Sequence, residues 1–296
     1  MHSSLLEVLC CPGCHGGLEV VEPVEGGGGE ELVEGALGCT GCGRRFEVEE
    51  GIPVLGDREH MGKVSDSWSE GMLTHELYRR NIESSRRWYG GSEAFAAFVD
   101  GAAEMEGVVV DVATGPGSSF AGALVPRLRE GTHFLMTDAA VHMLQGLKRA
   151  WEEEEHRAEV SFVGCDGHTM PFRDKSVRAF TSQGGFQCSQ DDPTQSRPPR
   201  CGGAYREAYR ALVEGGTVHG TCRVYAADSK TVPYLESVGC EDASWESLSD
   251  LWRAVGFDVI SKTDLAKQKG KSNPGDGLPI DENDEWAVVA YVLRKG

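Results

Sequence analysis

The stretch VVVDVATGPGSS, residues 108–119, decides the fold of this 296-residue chain. Its valine-rich first half is typical of a strand that is buried on both faces of a sheet. Gly115 and Gly117 then let the backbone approach a ligand closely, and a helix predicted to start behind them offers its N-terminal N–H groups. The stretch therefore predicts a strand, a glycine turn and a helix that together bind a ligand.

Strand and helix patterns alternate from residue 107 onward, which predicts an α/β domain with a mainly parallel sheet covered on both faces. The predicted strands are 108–112, 133–137, 160–163, 177–181, 217–221, 257–260 and 286–293. The predicted helices are 118–129, 140–157, 203–212 and 246–255. The polar stretch 264–285 predicts a hairpin with a long exposed loop, so we expect the final strand to run antiparallel.

Two further acidic residues follow predicted strands, Asp138 after the second and Asp166 after the third. The carboxyl ends of parallel strands meet at the edge where open α/β sheets bind ligands. A carboxylate at Asp138 would accept hydrogen bonds from both hydroxyls of a ribose, and one at Asp166 would accept from the exocyclic amine of adenine. A Rossmann dehydrogenase is the competing interpretation, but Phe120 occupies the third glycine position of its Gly-x-Gly-x-x-Gly motif.

Three motifs carry a resemblance to a known family: 111–117 (DVATGPG), 170–177 (MPFRDKSV) and 205–216 (YREAYRALVEGG). Together they resemble class I S-adenosylmethionine-dependent methyltransferases of the type 11, or ubiquinone/menaquinone methyltransferase-like, group. The resemblance implies a seven-stranded, mainly parallel Rossmann-like methyltransferase sheet. It also implies S-adenosyl-L-methionine as the cofactor.

The cofactor residues implied by the resemblance lie in the glycine turn and in the segments that directly follow the next three predicted strands. We expect the backbone around Ala113 and Gly115 to face the methionine end of the cofactor. Asp111 is expected to act structurally, or on the methionine amine through water. The expected cofactor residues are Asp111, Ala113, Thr114, Gly115, Pro116, Gly117, Asp138, Ala139, Met143, Asp166, Gly167, Ser182 and Gln183.

The chain departs from the family pattern at three positions. Ala113 replaces the usual first glycine, Pro116 stands where Cys or Thr is common, and Arg178 replaces an acid. Gly115 and Gly117 remain, so we expect cofactor binding to be retained.

The residues expected at the acceptor end are His168 and Gln187. His168 follows Asp166 and is the candidate general base, although packing beside adenine is the alternative. Gln187 lies behind the fourth strand and could orient an acceptor. The stretch 189–202 is interpreted as an insertion that could close over the substrate.

The first 42 residues contain two Cys-x2-Cys pairs, each of which places two thiolates on one tight turn. Two such pairs complete the tetrahedral sulfur shell that Zn²⁺ prefers, and four thiolates leave no open position for catalysis. The predicted structural zinc ligands are Cys11, Cys14, Cys39 and Cys42. Two disulfides are the alternative for a chain outside the reducing cytosol. Cys10 is predicted to be a buried thiol that binds no metal.

These pairs and the tail FEVEEGIPVL at 46–55 resemble the small zinc-ribbon protein that activates tRNA and protein methyltransferases. The domain boundaries predicted from this are a small β zinc ribbon over 1–56, a polar linker over 57–66 and a methyltransferase domain over 67–296. Within the last, 67–106 is predicted to be a helical lid and 107–296 the cofactor-binding core. Simple core packing is the alternative for the aromatic residues of the lid.

Composition limits the partners. The hydrophobic fraction of 40% is enough for a sizeable core, and no apolar run is long enough for a membrane helix. The net charge of -18 argues against nucleic acid, which proteins hold largely through Lys and Arg. We also expect no secretion signal in the first residues, and hence a cytoplasmic protein. The oligomeric state is left open.

The function predicted from the sequence is in-line methyl transfer from S-adenosylmethionine to a small-molecule acceptor. The chain lacks the Asn-Pro-Pro-Tyr-like motif that often accompanies methylation of exposed bases and glutamine amides. A ribosomal RNA base methyltransferase, which also carries a leading zinc module, is the first alternative. A non-catalytic adaptor that binds the cofactor is the second.

Overall fold

The computed structural model describes residues 1–23, 32–66, 73–117, 120–186, 203–226, 228–233, 244–270 and 282–296. The N-terminal part is a small antiparallel sheet in the order β1-β2-β3-β4, as the sequence predicts for the ribbon. Its strands are β1 (Leu18–Pro23), β2 (Gly35–Cys39), β3 (Arg45–Glu49) and β4 (Ile52–Pro53).

The second sheet has seven strands in the order β10-β11-β9-β8-β5-β6-β7. Its strands are β5 (Val108–Val112), β6 (His133–Asp138), β7 (Glu159–Gly164), β8 (Val177–Gln183), β9 (Leu212–Tyr225), β10 (Phe257–Lys269) and β11 (Glu285–Lys295). The pairs among β5 to β9 are parallel, while β11 is antiparallel to both of its neighbours. The predicted seven-stranded, mainly parallel sheet and its antiparallel final strand are confirmed.

The direction in which successive strands are added reverses between β5 and β8. The connections that follow β5 and β8 therefore lead to opposite sides of the sheet. A crevice opens between them at the carboxyl ends of these two strands. The glycine turn after β5 lies at this point, which positions it as the floor of a ligand site.

The described helices are α1 (Arg58–Asp66), α2 (His75–Gly91), α3 (Glu93–Ala103), α4 (Ala121–Leu124), α5 (Val141–Trp151), α6 (Gly203–Ala211) and α7 (Trp245–Val255). Side-chain caps fix where several of them begin. The hydroxyls of Thr74, Ser92 and Ser244 accept from the third residue of α2, α3 and α7 respectively. Gly256, at a φ of 114°, ends α7 in the left-handed conformation that favours glycine.

The stretch 57–66, predicted as a linker, is instead almost wholly helix α1. The Asp57 carboxylate accepts from the backbone N–H groups of Glu59 and His60, at 3.0 and 3.3 Å, and so caps the helix. Met61 in the middle of α1 is 2% exposed, because its side chain packs between Gly56 and Gly164. The polar composition of the stretch gives no sign of the buried Met61 or of the Asp57 cap.

Other predicted boundaries are wrong as well. The helix predicted over 140–157 ends at Trp151, and the strand predicted over 217–221 extends over Leu212–Tyr225. The loop predicted over 264–285 is shorter, because β10 continues to Lys269 and β11 begins at Glu285. The helix predicted over 118–129 is reduced to α4 and a 3-10 turn at Val125–Arg127. Pro126 lies in that turn and has no N–H to donate to the carbonyl of Gly122, four residues earlier, so an α-helix does not continue through it.

The ribbon packs directly on the edge of the large sheet. Val54 forms a parallel bridge with Gly164 of β7, and the Leu55 N–H donates to the Gly164 carbonyl at 2.7 Å. Leu9 bridges Phe172, and the Cys10 N–H donates to Pro171 at 2.8 Å. One hydrophobic cluster continues from the ribbon into the large sheet, so the two parts share a core.

Candidate functional site

The turn after β5 has a backbone that runs through the left-handed region. The φ angles are 51° at Ala113, 61° at Gly115 and 95° at Gly117. Glycine adopts this region freely, whereas alanine pays about 1 kcal/mol to do so. The Thr114 N–H donates to the backbone carbonyl of Thr137 at 2.9 Å, and the Gly115 N–H donates to Asp138 Oδ2 at 2.9 Å. Bonds to the end of β6 therefore hold the turn in place.

A cavity of about 300 Å³ lies over this turn. Its described lining consists of the turn itself, the end of β8 and one face of α2. The lining residues are Asn81, Ser84, Ala113, Thr114, Gly115, Pro116, Gly117 and Gln183. Five of the expected cofactor residues from the turn, together with Gln183, thus share one cavity.

Asp138 lies at the end of β6, where the sequence predicts the ribose-binding carboxylate. Its Oδ2 accepts from Gly115 and its Oδ1 accepts from the Ala140 N–H at 2.9 Å. Burial raises the pKa of this carboxyl above its ordinary value, against the lowering effect of those N–H groups. Met143 lies close to the turn, because its Sδ is 4.0 Å from the position that a Cβ on Gly115 would occupy. The carboxylate keeps lone pairs for a ligand, since each oxygen can accept more than one hydrogen bond.

Asp166 follows β7 and contacts two histidines. Its Oδ1 accepts from the His168 N–H at 2.9 Å and lies 3.1 Å from His168 Nδ1. Its Oδ2 is 3.6 Å from Nε2 of His60, which belongs to α1. Burial opposes ionisation, but the hydrogen bonds from His168 lower the pKa of Asp166 below its ordinary value. This carboxylate is therefore charged at neutral pH and is able to accept from an amine.

Asp111 does not line the cavity. It is fully buried behind the turn, where it accepts from Thr181 Oγ1 at 2.6 Å and Thr114 Oγ1 at 2.7 Å. Burial raises the pKa of Asp111 to about 6, although the two hydroxyls act in the opposite direction. Ser182 is also buried and donates to the Val112 carbonyl at 2.8 Å. Both side chains brace the turn from behind, which agrees with the structural role expected for Asp111.

The residues expected at the acceptor end are only partly described. His168 is half-exposed and its ring faces Asp166. Gln187 and the stretch 189–202 lie outside the described residues. Ala139 and Gly167 lie beside the two carboxylates, where the sequence expects them.

Three residues that line or contact the site carry no motif signal. Asn81 and Ser84 line the cavity from α2, and His60 reaches Asp166 from α1. Each of them lies in an ordinary polar stretch of a helix, far from the glycine turn along the sequence. Only the three-dimensional packing of α1 against α5 and β7, and of α2 against α4 and α5, brings them to the site.

The four cysteine sulfurs of the ribbon lie within 4.8 Å of one another. The Cys11 and Cys42 sulfurs are 3.8 Å apart, and those of Cys14 and Cys39 are 3.4 Å apart. A tetrahedral zinc with Zn–S bonds of about 2.3 Å requires sulfur separations of about 3.8 Å. Hydrogen bonds from the N–H groups of Cys42 and Gly41 lower the pKa of Cys39 to about 6. The predicted ligand set fits structural zinc, and Cys10 is buried outside it.

Comparisons with known proteins agree with this geometry. Residues 2–51 match the Trm112p-like protein family, and residues 109–216 match the family described as methyltransferase domain. The chain therefore carries a Trm112p-like zinc ribbon and, behind it, a methyltransferase domain of the S-adenosylmethionine-dependent class. Both resemblances inferred from the sequence are confirmed.

One curated relative is the mitochondrial 2-methoxy-6-polyprenyl-1,4-benzoquinol methylase of Leishmania donovani. It is 31% identical over 112 residues, which are 38% of this chain and 34% of that protein. The chain thus matches about a third of the length of this relative.

Solved structures of similar fold include the geranyl diphosphate C-methyltransferase of Streptomyces coelicolor A3(2). It shows 17% identity and a TM-score of 0.48, over 68% of this chain and 76% of that one. The phosphoethanolamine N-methyltransferase 2 of Haemonchus contortus shows 18% identity and a TM-score of 0.43, over 64% of this chain and 49% of that one.

Proposed function

We propose that the protein transfers a methyl group from S-adenosylmethionine to a small organic acceptor. The observation that carries the proposal is the cavity over the glycine turn, where the Gly115 N–H bonds Asp138 at the end of β6, and Asp166 follows the adjacent strand β7. This arrangement suits a nucleoside that carries an amino-acid chain.

Different residues of the chain would bind different parts of the cofactor. Asp138 would accept from the ribose hydroxyls, while Asp166 and the Gly167 N–H would read adenine. The backbone of residues 113–117 would hold the methionine end in the cavity. When bound, S-adenosylmethionine supplies a methyl group that its sulfonium already activates. The protein then has to orient the acceptor and exclude water, and it need not supply a nucleophile.

His168 is proposed to act at the adenine end of the site. Its contacts with Asp166 Oδ1 support this position, because they hold the carboxylate and the ring together. The alternative role as a general base requires the ring to reach the acceptor. Gln187 remains a prediction for orienting the acceptor.

A small-molecule acceptor is supported by a second, larger cavity at the same edge of the sheet. It has a volume of about 590 Å³ and lies where β9, β10 and β11 run on beyond the end of β8. Trp245 and Trp286 line it, and the Lys262 ammonium lies 4.5 Å from the centre of the Trp245 ring. Aromatic walls are typical of sites for organic ligands. The curated quinol methylase relative and the net charge of -18 support the same class.

In the part of the chain that is described, no helix is sufficiently long and apolar to cross a membrane. The cytoplasmic location expected from the sequence remains a prediction.

The test is methyl transfer from radiolabelled S-adenosylmethionine into a metabolite extract and, separately, into total RNA. We expect label in small molecules that RNase does not remove. Label confined to RNase-sensitive polymer would favour the RNA methyltransferase. Cofactor binding with no transfer to either would favour the adaptor.

A further inference from the structure

The cavity over the glycine turn lacks a carboxylate among its described lining residues. The acidic residue nearest in sequence, Asp111, is fully buried, and its two carboxylate oxygens already accept from the hydroxyls of Thr114 and Thr181. Among these described lining residues, an ammonium in the cavity therefore meets only neutral oxygen atoms. Such atoms are supplied by backbone carbonyls, by Gln183 and by two side chains of α2.

Asn81 is the better placed of the two α2 residues. Its Nδ2 donates to the Pro116 carbonyl at 2.9 Å, and its Cβ lies 3.6 Å from the position of a Cβ on Gly117. A carbonyl can only accept, so this bond fixes which end of the amide faces the turn. The amide oxygen is thereby left as an acceptor on a side chain that lines the cavity.

Ser84 lies three residues further along α2 and lines the same cavity. Residues at this spacing share one face of a helix, so both side chains are presented together. The neighbouring residues Tyr78, Ile82 and Ser85 are buried and hold the helix against the sheet domain. These buried contacts therefore place the α2 face over the turn.

We infer that Asn81 and Ser84 bind the ammonium of the amino-acid end of the cofactor, which makes α2 a wall of the cofactor site. This inference rests on the proposed function. It assigns to α2 a binding role that is distinct from the acceptor lid expected of 67–106. It also predicts that α2 contributes to the affinity for a ligand that has the amino-acid end and contributes nothing to the affinity for a ligand without it.

Two nucleosides separate this role from a structural one. S-adenosylhomocysteine has the amino-acid end, and 5′-methylthioadenosine has the same adenosine and sulfur without it. Calorimetric titration of the full chain with each compound is compared for the unaltered protein, Asn81→Leu and Ser84→Ala. Glu83→Leu is the matched control, since Glu83 is an exposed residue of α2 outside the cavity.

We expect Asn81→Leu to weaken S-adenosylhomocysteine about tenfold, as for loss of a hydrogen bond to a charged group, with a smaller loss for Ser84→Ala. Binding of 5′-methylthioadenosine should stay within about twofold for both variants, and Glu83→Leu should change neither compound by more than that. Equal weakening of both nucleosides by Asn81→Leu, or no weakening of either, would overturn the inference. Failure of the unaltered protein to bind S-adenosylhomocysteine would overturn the proposed function itself.

Discussion

Replacing Asp111 with asparagine should change how the stability of the protein depends on pH. Asp111 is fully buried, and burial raises its pKa from an ordinary value of 3.8 to about 6. A carboxyl whose pKa is raised by folding contributes stability at low pH and loses it as the pH rises through the folded pKa. The unaltered protein therefore keeps a desolvated, charged carboxylate at neutral pH that the amide variant lacks.

The pKa difference sets the size of the effect. A rise from 3.8 to about 6 corresponds to about 3 kcal/mol of folding free energy between the two pH extremes. Most of this loss falls between pH 4.5 and 7.5. Across that range, the unfolding free energy of the Asp111→Asn variant should rise by about 2 kcal/mol relative to that of the unaltered protein. In the variant an amide NH2, which can only donate, replaces one of the two oxygens that accept from Thr114 and Thr181. The resulting penalty lowers the unfolding free energy equally at every pH and does not change its slope with pH.

Urea unfolding followed by far-UV circular dichroism measures the effect, with zinc present and ionic strength held constant. The difference in unfolding free energy between Asp111→Asn and the unaltered protein should shift by about 2 kcal/mol in favour of the variant across this range. Thr181→Val supplies the control in the other direction, since loss of its hydroxyl should raise the pKa of Asp111 further. A difference that stays constant to within about 0.5 kcal/mol would show that Asp111 titrates as an ordinary carboxyl and would refute the reasoning.

Three further outcomes are expected. Chelation of zinc should lower the melting temperature and remove the ribbon's strand signal, both restored by added zinc, and an unchanged melt would argue against a structural metal. Arg210→Ala should lower the unfolding free energy by about 2 kcal/mol, because its guanidinium bonds Glu207 and the Phe172 carbonyl while only 20% exposed, and a urea midpoint unchanged from the parent would contradict this. Gly185→Ala should cost more stability than Gly184→Ala, because a Cβ on Gly185 would lie 2.6 Å from the Val112 carbonyl oxygen. A Cβ on Gly184 meets nothing within 4 Å, so that variant bears only the cost of about 1 kcal/mol for alanine at a φ of 75°, and equal thermal shifts would count against the packing of this loop.

The sheet could be predicted from the sequence because its strands are short apolar runs and each is followed by a turn. The pattern around Val108–Val112 and the two carboxylates after the next strands also located the ligand edge. These features are local, so neighbouring residues suffice to show them. The same holds for the cysteine pairs of the ribbon, whose spacing alone defines the metal shell.

What the sequence could not supply depends on contacts between distant segments. Asp111 and Asp138 both lie near strand ends, yet one faces two threonines inside the protein and the other bonds the glycine turn that floors the cavity. Asn81 lies on α2, well before the turn it contacts, and no local pattern marks it. The sequence does not predict helix α1 because most of its residues are polar, and Met61, which is buried, contacts the ribbon and β7.

The claim on which the rest depends is that the edge of the sheet behind β5 and β6 binds an adenosine carrying an amino-acid chain. The most direct test is calorimetric titration of the zinc-loaded chain with S-adenosylhomocysteine, repeated for Asp138→Ala. One binding site per chain is expected, with affinity lowered by about 1–3 kcal/mol in the variant, because the ribose hydroxyls lose their acceptor. No heat of binding in a folded sample, or equal affinity in the variant, would contradict the account.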